Sequence, residues 1–281
     1  MTEVDSGWVA IASLSDTGRQ RAHNEDACTE GRLGDGALLL MVADGMGGHA
    51  GGATASRTAV DTARSVVEAA ATGSDALLME AFEAANRSIH EAAGRDASLH
   101  GMGTTGVALL LAPGGPAWVA NVGDSRAYRL RGECLEQLTR DHSFVAELQR
   151  RGVIDAEQAA VHPRRHQVLR SLGVESGVEV DVERIELEDG DCFLLCSDGL
   201  SGVIADDEIA FALSGAEPAE AARRLVDLAN ERGGPDNITV QIARISRADG
   251  GWNGAGLRGR PLLIAGLGLI LALGVAWLWL V

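Results

Sequence analysis

The sequence predicts a layered α+β body followed by one membrane-spanning helix, and three observations carry that expectation. Long strand-like runs are interrupted by only a few helical patterns, which suits sheets whose outer faces are covered by helices. Hydrophobic residues make up 46% of the 281, enough for a core in one large domain or two small ones. The last 21 residues carry no charged side chain.

Taken in order, the strand-like runs are WVAIASLSD (8–16), ALLLMVA (37–43), TTGVALLLA (104–112), AWVANVG (117–123), SRAYRLR (125–131), VEVDVERIEL (178–187), DCFLLCS (191–197) and ITVQIARI (238–245). VEVDVERIEL alternates apolar with polar, as an edge or half-exposed strand does, whereas ALLLMVA is apolar throughout and predicts a strand covered on both faces. Helical spacing appears at 51–71 (Ala55, Ala59, Ala63, Val66, Val67, Ala70) and at 75–93 (Leu78, Phe82, Ala85, Ile89), where Ser74 is placed to cap. A third stretch, 218–231, opens on Pro218, repeats Ala222, Leu225 and Leu228, and stops before Gly233-Gly234. Residues 141–166 are polar and Arg-rich, and predict a partly helical surface excursion near the site.

From Pro261 to Val281 the chain reads PLLIAGLGLILALGVAWLWLV. As a helix rising ~1.5 Å per residue it would span roughly 31 Å, close to the ~30 Å hydrocarbon core of a bilayer. Arg258 and Arg260 before it, and Trp277 and Trp279 near its far end, predict a body on the cytoplasmic side. The Gly-rich stretch 247–260 between body and span reads as a flexible tether, and Gly268 and Ala272 have small-xxx-small spacing. The expected division is a folded domain at 7–246, a juxtamembrane linker at 247–260 and a transmembrane helix at 261–281.

The net charge is −16 and every basic residue is Arg, a balance that disfavours nucleic acid as a partner. Cys28, Cys134, Cys192 and Cys196 show no CxxC spacing. On one strand, Cys192 and Cys196 would stand roughly 13 Å apart, too far for a disulfide, so the four are expected to be small buried residues of a reducing compartment. Glu3 and Asp5 stand where a secretory signal would carry basic residues, which places the body in the cytosol.

Two stretches share a pattern: DGALLLMVADG (35–45) and DGDCFLLCSDG (189–199). Asp-Gly is ordinary turn chemistry, so each could be a strand between two turns. Alternatively, Asp44 and Asp198 are delivered to one place by stiff apolar strands, and the resemblance between the stretches suggests two related halves, one per sheet. Asp26, Asp124 and Asp236 also stand at strand ends or in Gly, Asn or Pro turns. Five such carboxylates aimed into one cleft would repel each other by several kcal/mol unless cations joined them. An all-oxygen donor set, without paired Cys or His-x-x-x-His, favours Mg²⁺ or Mn²⁺ over zinc, and Gly45 can bring its carbonyl oxygen close to an ion.

The series GRQRAHNEDA (18–27), VADGMGGHAGG (42–52), GMGTT (101–105), NVGDSRAY (121–128), LTRDHS (138–143), VLRSLG (168–173), CSDGL (196–200) and GPDNITV (234–240) closely resembles the metal-dependent protein phosphatase family, the type 2C serine/threonine phosphatases, in its bacterial branch. The motifs stand in the family's order and cover residues 8–245. The resemblance implies a four-layer sandwich of two antiparallel β-sheets flanked by α-helices, with a two-ion Mn²⁺ or Mg²⁺ site at one edge. Asp44 would bridge both ions, the Gly45 carbonyl and Asp26 would serve one, and Asp198 and Asp236 would hold the other. Asp124 would bind a third, weaker ion with Asp198, and Glu25 would orient water at the metals. Arg21 would grip the substrate phosphate through its two-pronged guanidinium, its plain alternative being a surface ion pair.

The implied reaction is hydrolysis of phosphoserine and phosphothreonine in proteins at the cytoplasmic membrane face, opposing bacterial Ser/Thr kinases. Two ions about 3.5–4 Å apart would make hydroxide available near neutral pH and clamp the phosphoryl oxygens, with no covalent enzyme intermediate. The expected partners are phosphoproteins, among them membrane-bound kinases and their substrates. The alternatives are a phosphatase dedicated to one partner-switching regulator and a non-catalytic phosphoprotein-binding scaffold. Met46 stands where eukaryotic relatives carry the His that protonates the leaving group, so the general acid is unassigned. Ala53 replaces an acidic residue common after AGG, and His49 and His142 are expected to support the site rather than bind metal.

Overall fold

The computed structural model describes residues 1–47 and 50–246. Its strands are β1 (Thr2–Asp5), β2 (Val9–Asp16), β3 (Asp26–Arg32), β4 (Leu38–Met46), β5 (Gly103–Thr104), β6 (Gly106–Leu111), β7 (Ala117–Val122), β8 (Arg126–Arg131), β9 (Cys134–Gln137), β10 (Asp181–Ile185), β11 (Cys192–Cys196) and β12 (Ile238–Ile245). The helices are α1 (Ala50–Glu68), α2 (Asp75–Arg95), α3 (Phe144–Arg150), α4 (Ala156–Ala160), α5 (Asp198–Ser201), α6 (Asp206–Leu213) and α7 (Pro218–Glu231).

Two antiparallel sheets result, one in the order β1-β2-β12-β11-β8-β9 and the other β10-β7-β6-β4-β3, with β5 paired to β4 beside it. Three apolar clusters hold the layers together. Leu40, Val42, Leu109, Phe193, Leu195 and Ala243 pack between the sheets. Leu39, Met41 and Leu110 meet Ala59, Phe82 and Ile89 of α1 and α2. Leu194 and Ile242 meet Ile209 and Leu225 of α6 and α7 on the opposite outer face. Successive side chains of β4 therefore enter different clusters, which is why its sequence is apolar without alternation. The alternating run becomes β10, at the edge of its sheet.

Ser74 caps α2 by accepting the Leu77 amide, and α7 opens on Pro218 as its sequence implied. The run at 104–112 splits into β5 and β6 at Thr105, whose backbone N–H instead donates to the Asp44 carbonyl. β1 pairs with β2 ahead of the expected boundary at residue 7. Cys192 and Cys196 are buried on β11, but Cys134 is exposed at the start of β9, against the expectation that all four are interior; the short edge strand leaves nothing to cover it. The proposed linker 247–260, the proposed span 261–281 and His49 lie outside the described residues. Among the described residues, no helix is long and apolar enough to cross a membrane.

Candidate metal centre

The four Asp-Gly pairs that bound 35–45 and 189–199 separate into two kinds. Gly36 and Gly190 take φ of 85° and 84°, the left-handed conformation that glycine tolerates, and their pairs are turns between strands. Asp44-Gly45 instead continues β4, and Asp198-Gly199 starts α5 directly after β11. The antiparallel order then brings the C-terminal ends of β4, β7 and β11 and the N-terminal ends of β3 and β12 to one rim. That rim carries Asp26, Asp44, Asp124, Asp198 and Asp236.

Asp26 and Asp44 are direct cross-strand partners on β3 and β4. Asp26 is buried; its Oδ2 accepts the Ser197 hydroxyl at 2.8 Å, while its Oδ1 and the Oδ1 of Asp198 are buried without any hydrogen-bond partner. Asp44 is anchored through its backbone, its N–H donating to Thr105 Oγ1 at 3.0 Å and its carbonyl accepting the Thr104 hydroxyl at 2.7 Å. Thr105 Oγ1 in turn pairs with Ser125 Oγ at 2.7 Å, next to Asp124. Burial, reinforced by neighbouring carboxylates, pushes Asp26 and Asp124 up to about 7. The same causes hold Asp44 and Asp198 above the usual carboxylate range.

Gly45 is required by crowding: a Cβ there would stand 2.2 Å from the Gly52 carbonyl oxygen and 2.5 Å from that of Glu25. Strand and helix start thus meet backbone to backbone, with the Gly45 amide donating to the Glu25 carbonyl at 3.2 Å. The Glu25 carboxylate lies against Gly52, where a Cβ would come within 2.4 Å of Oε2. The first turn of α1 contains no acidic residue, in keeping with Ala53.

Arg21 is 52% exposed and its NH2 donates to Asp236 Oδ2 at 2.6 Å. The guanidinium therefore stands at the carboxylate rim, paired with one of its members. Met46 lines the same cleft. His142 lies behind the rim: its Nδ1 accepts the Gly123 amide at 3.1 Å and its own amide donates to the Gly123 carbonyl at 2.9 Å, so it clamps the turn carrying Asp124.

Several residues that shape this site carried no sequence signal of their own. Asn237 accepts the Glu25 amide at 2.8 Å and donates to the carbonyls of Thr17 (2.9 Å) and His23 (3.0 Å). Arg126 holds Asp141 through a two-pronged contact, with Nε to Oδ1 at 2.9 Å and NH2 to Oδ2 at 2.7 Å. Both motifs were visible as strings, but a neutral amide or an Arg–Asp pair becomes informative only when its partners are known.

The donor chemistry fits hard divalent cations. Buried carboxylates gather without a compensating buried cation at Asp26 or Asp44, and two of their oxygens have no donor. Among the described residues, no group of three or more His, Cys, Asp or Glu side chains is already placed to hold a metal ion.

Residues 17–233 match the family model described as protein phosphatase 2C. The chain is 42% identical over 244 residues to the serine/threonine protein phosphatase PstP of Mycobacterium tuberculosis, a match covering 85% of this chain and 46% of PstP, so the chain spans about half that relative's length. It is 41% identical over 234 residues to the serine/threonine phosphatase stp of Listeria monocytogenes, covering 81% of this chain and 92% of that one. Among solved structures, it resembles the catalytic domain of PstP in complex with two manganese ions, with a TM-score of 0.75, 38% identity, and coverage of 85% of this chain and 99% of the other.

Proposed function

The chain belongs to the protein phosphatase 2C family, and from that premise we propose that it hydrolyses phosphoserine and phosphothreonine in proteins with the aid of two divalent cations, Mn²⁺ or Mg²⁺. The observation that carries this reading is the convergence of five aspartates on one rim, four of them raised in pKa by burial and neighbouring carboxylates and two with unpartnered buried oxygens. When bound, the cations would supply charge that acidifies water and neutralises phosphoryl oxygens. Asp44 would bridge them; Asp26 and the Gly45 carbonyl would face one, Asp198 and Asp236 the other, and Asp124 a third.

The remaining work falls to side chains. Arg21 would exchange Asp236 for the substrate phosphate, to which its fork is complementary. Glu25, fixed by Asn237 through its backbone, would orient the attacking water. The general acid remains without a side-chain candidate at Met46, and water from the open cleft serves that role.

We further propose that residues 261–281 anchor the body to the cytoplasmic face of the cell membrane through the tether 247–260, where it would oppose membrane-bound Ser/Thr kinases. The apolar length of that segment and its flanking Arg258, Arg260, Trp277 and Trp279 support this. Purified residues 1–246 with Mn²⁺ are expected to release phosphate from a phosphothreonine peptide, and Asp44→Asn to lower kcat by at least about 10³-fold. Equal turnover by the two proteins would reject the assignment.

A further inference from the structure

The cleft in front of the aspartates has a volume of about 1130 Å³, at the upper end of sites that enclose a whole small ligand and far beyond the needs of one phosphoryl group. Its second wall comes from the excursion between His142 and Leu169, where α3, α4 and Val168 line the cleft with Val145, Ala146, Ala156, Ala159, Ala160 and Val168. The sequence of this excursion is polar overall, yet its small aliphatic side chains are gathered on the cleft side. None of them belongs to any of the three apolar clusters that build the body. An amphipathic surface normally turns its apolar side toward a core; here that side shares a cavity with Asp44, Asp124 and Asp198.

The wall is held in place at its neck. Ser143 and Val168 form a bridge, the Phe144 amide donates to the Gln167 carbonyl at 2.8 Å, and the Leu169 amide donates to the His142 carbonyl at 2.7 Å. The Arg164 guanidinium lies 3.3 Å from the Phe144 ring centroid, tying the returning turn to the start of α3. His142 links this neck to the Asp124 turn, so the apolar wall and the acidic rim keep a fixed relation.

We infer that this wall is a side-chain subsite for an aliphatic residue within two positions of the phosphorylated Ser or Thr of a protein substrate. In an extended segment, residues two apart project to the same side about 7 Å from one another, so one can face the aspartates while the other packs on Val145 and Ala159. The remaining lining is charged, with Arg21, Arg126 and Arg165 beside Glu25, Asp44, Asp198 and Asp236, so it offers an aliphatic side chain no second apolar contact. Preference for an aliphatic neighbour over a polar or charged one follows from the excursion wall. The inference rests on the phosphoprotein reading above and adds the chemistry of the segment that carries the phosphate.

The test uses the full chain in detergent with Mn²⁺ and three phosphothreonine peptides whose two residues on either side are Val/Ala, Ser or Glu. The expected kcat/KM is higher for the aliphatic peptide than for either the Ser or the Glu peptide by about tenfold. Val145→Asp should abolish the aliphatic preference, and the near-isosteric Val145→Thr, which spares the fold, should reduce it about threefold. Equal rates for all three peptides, or a preference unchanged in both variants, overturn the subsite while leaving the phosphatase reading intact. No turnover of any peptide overturns the reading beneath it.

Discussion

Asn237 joins three backbone groups that belong to the loop preceding β3, and it does so beside Asp236. Its amide restrains the segment 17–25, which holds Arg21 and Glu25 at the rim. Asn237→Ala leaves a buried amide and two carbonyls unpaired, which should cost about 2–4 kcal/mol of stability, measured by urea unfolding, and raise KM more than it lowers kcat. Unchanged unfolding midpoints would show that the loop is held by other means. Gly45→Ala drives a methyl group into the Gly52 and Glu25 carbonyls and should destabilise by about 3 kcal/mol or more, since backbone on both sides cannot yield cheaply. A calorimetric Tm within a degree of the parent would contradict that crowding. At this scale the aspartates were legible because a carboxylate ending an apolar strand has few structural uses. Ser197, Thr105 and Asn237 were not, since small polar residues at strand ends serve ordinary turns just as well.

Among the elements, the strands of the interior were read from their apolar runs and the three long helices from spacing and caps. β3 was missed because its sequence, DACTEGR, has neither continuous apolar character nor clean alternation: it lies at a sheet edge with Glu30 bonded across to Ser13 at 2.6 Å. α6 escaped notice because eight residues are too few to establish a period. The neck of the excursion gives a pH prediction. Burial, with Arg170 and Arg150 nearby, holds His142 below its ordinary value despite the opposing pull of Asp181. Between that lowered value and about 6.5 the unfolded chain binds the proton and the folded one does not, so His142 contributes stability above pH 6.5 that is lost as the pH falls through this window. Chemical denaturation from pH 7.5 to 5 should show a loss of up to about 1.4 kcal/mol per pH unit that His142→Gln removes. Taking the difference between the two proteins cancels the contribution of the acidic rim, common to both. Parallel curves would mean that His142 titrates alike in the folded and unfolded chain.

Over the whole molecule, the sandwich has two unlike poles. β12 begins beside Asp236 and carries the chain roughly 26 Å away at ~3.3 Å per residue, to Ser246, whose amide donates to the Trp8 carbonyl at 2.9 Å. Ser246, the last described residue, thus lies at the pole opposite the cleft, so a body anchored through the proposed tether would present its acidic rim away from the bilayer. The two-sheet architecture was legible from the balance of runs and helices, but strand order was not, because antiparallel neighbours such as β2 and β12 are more than 200 residues apart. The same long-range pairing brings Asp26, Asp44, Asp198 and Asp236 together and makes the rim costly for the folded chain alone. The fold thus stores carboxylate repulsion that divalent cations would relieve. Titration of metal-stripped protein with Mn²⁺ at pH 7.5, followed by calorimetry and by thermal unfolding, tests it most directly. The account predicts at least two ions per chain, release of protons on binding, and stabilisation of about 2.7 kcal/mol at a hundredfold excess over Kd, all sharply weakened in Asp44→Asn. Binding of no ion, or equal binding and equal Tm shifts in the parent and in Asp44→Asn, would contradict it.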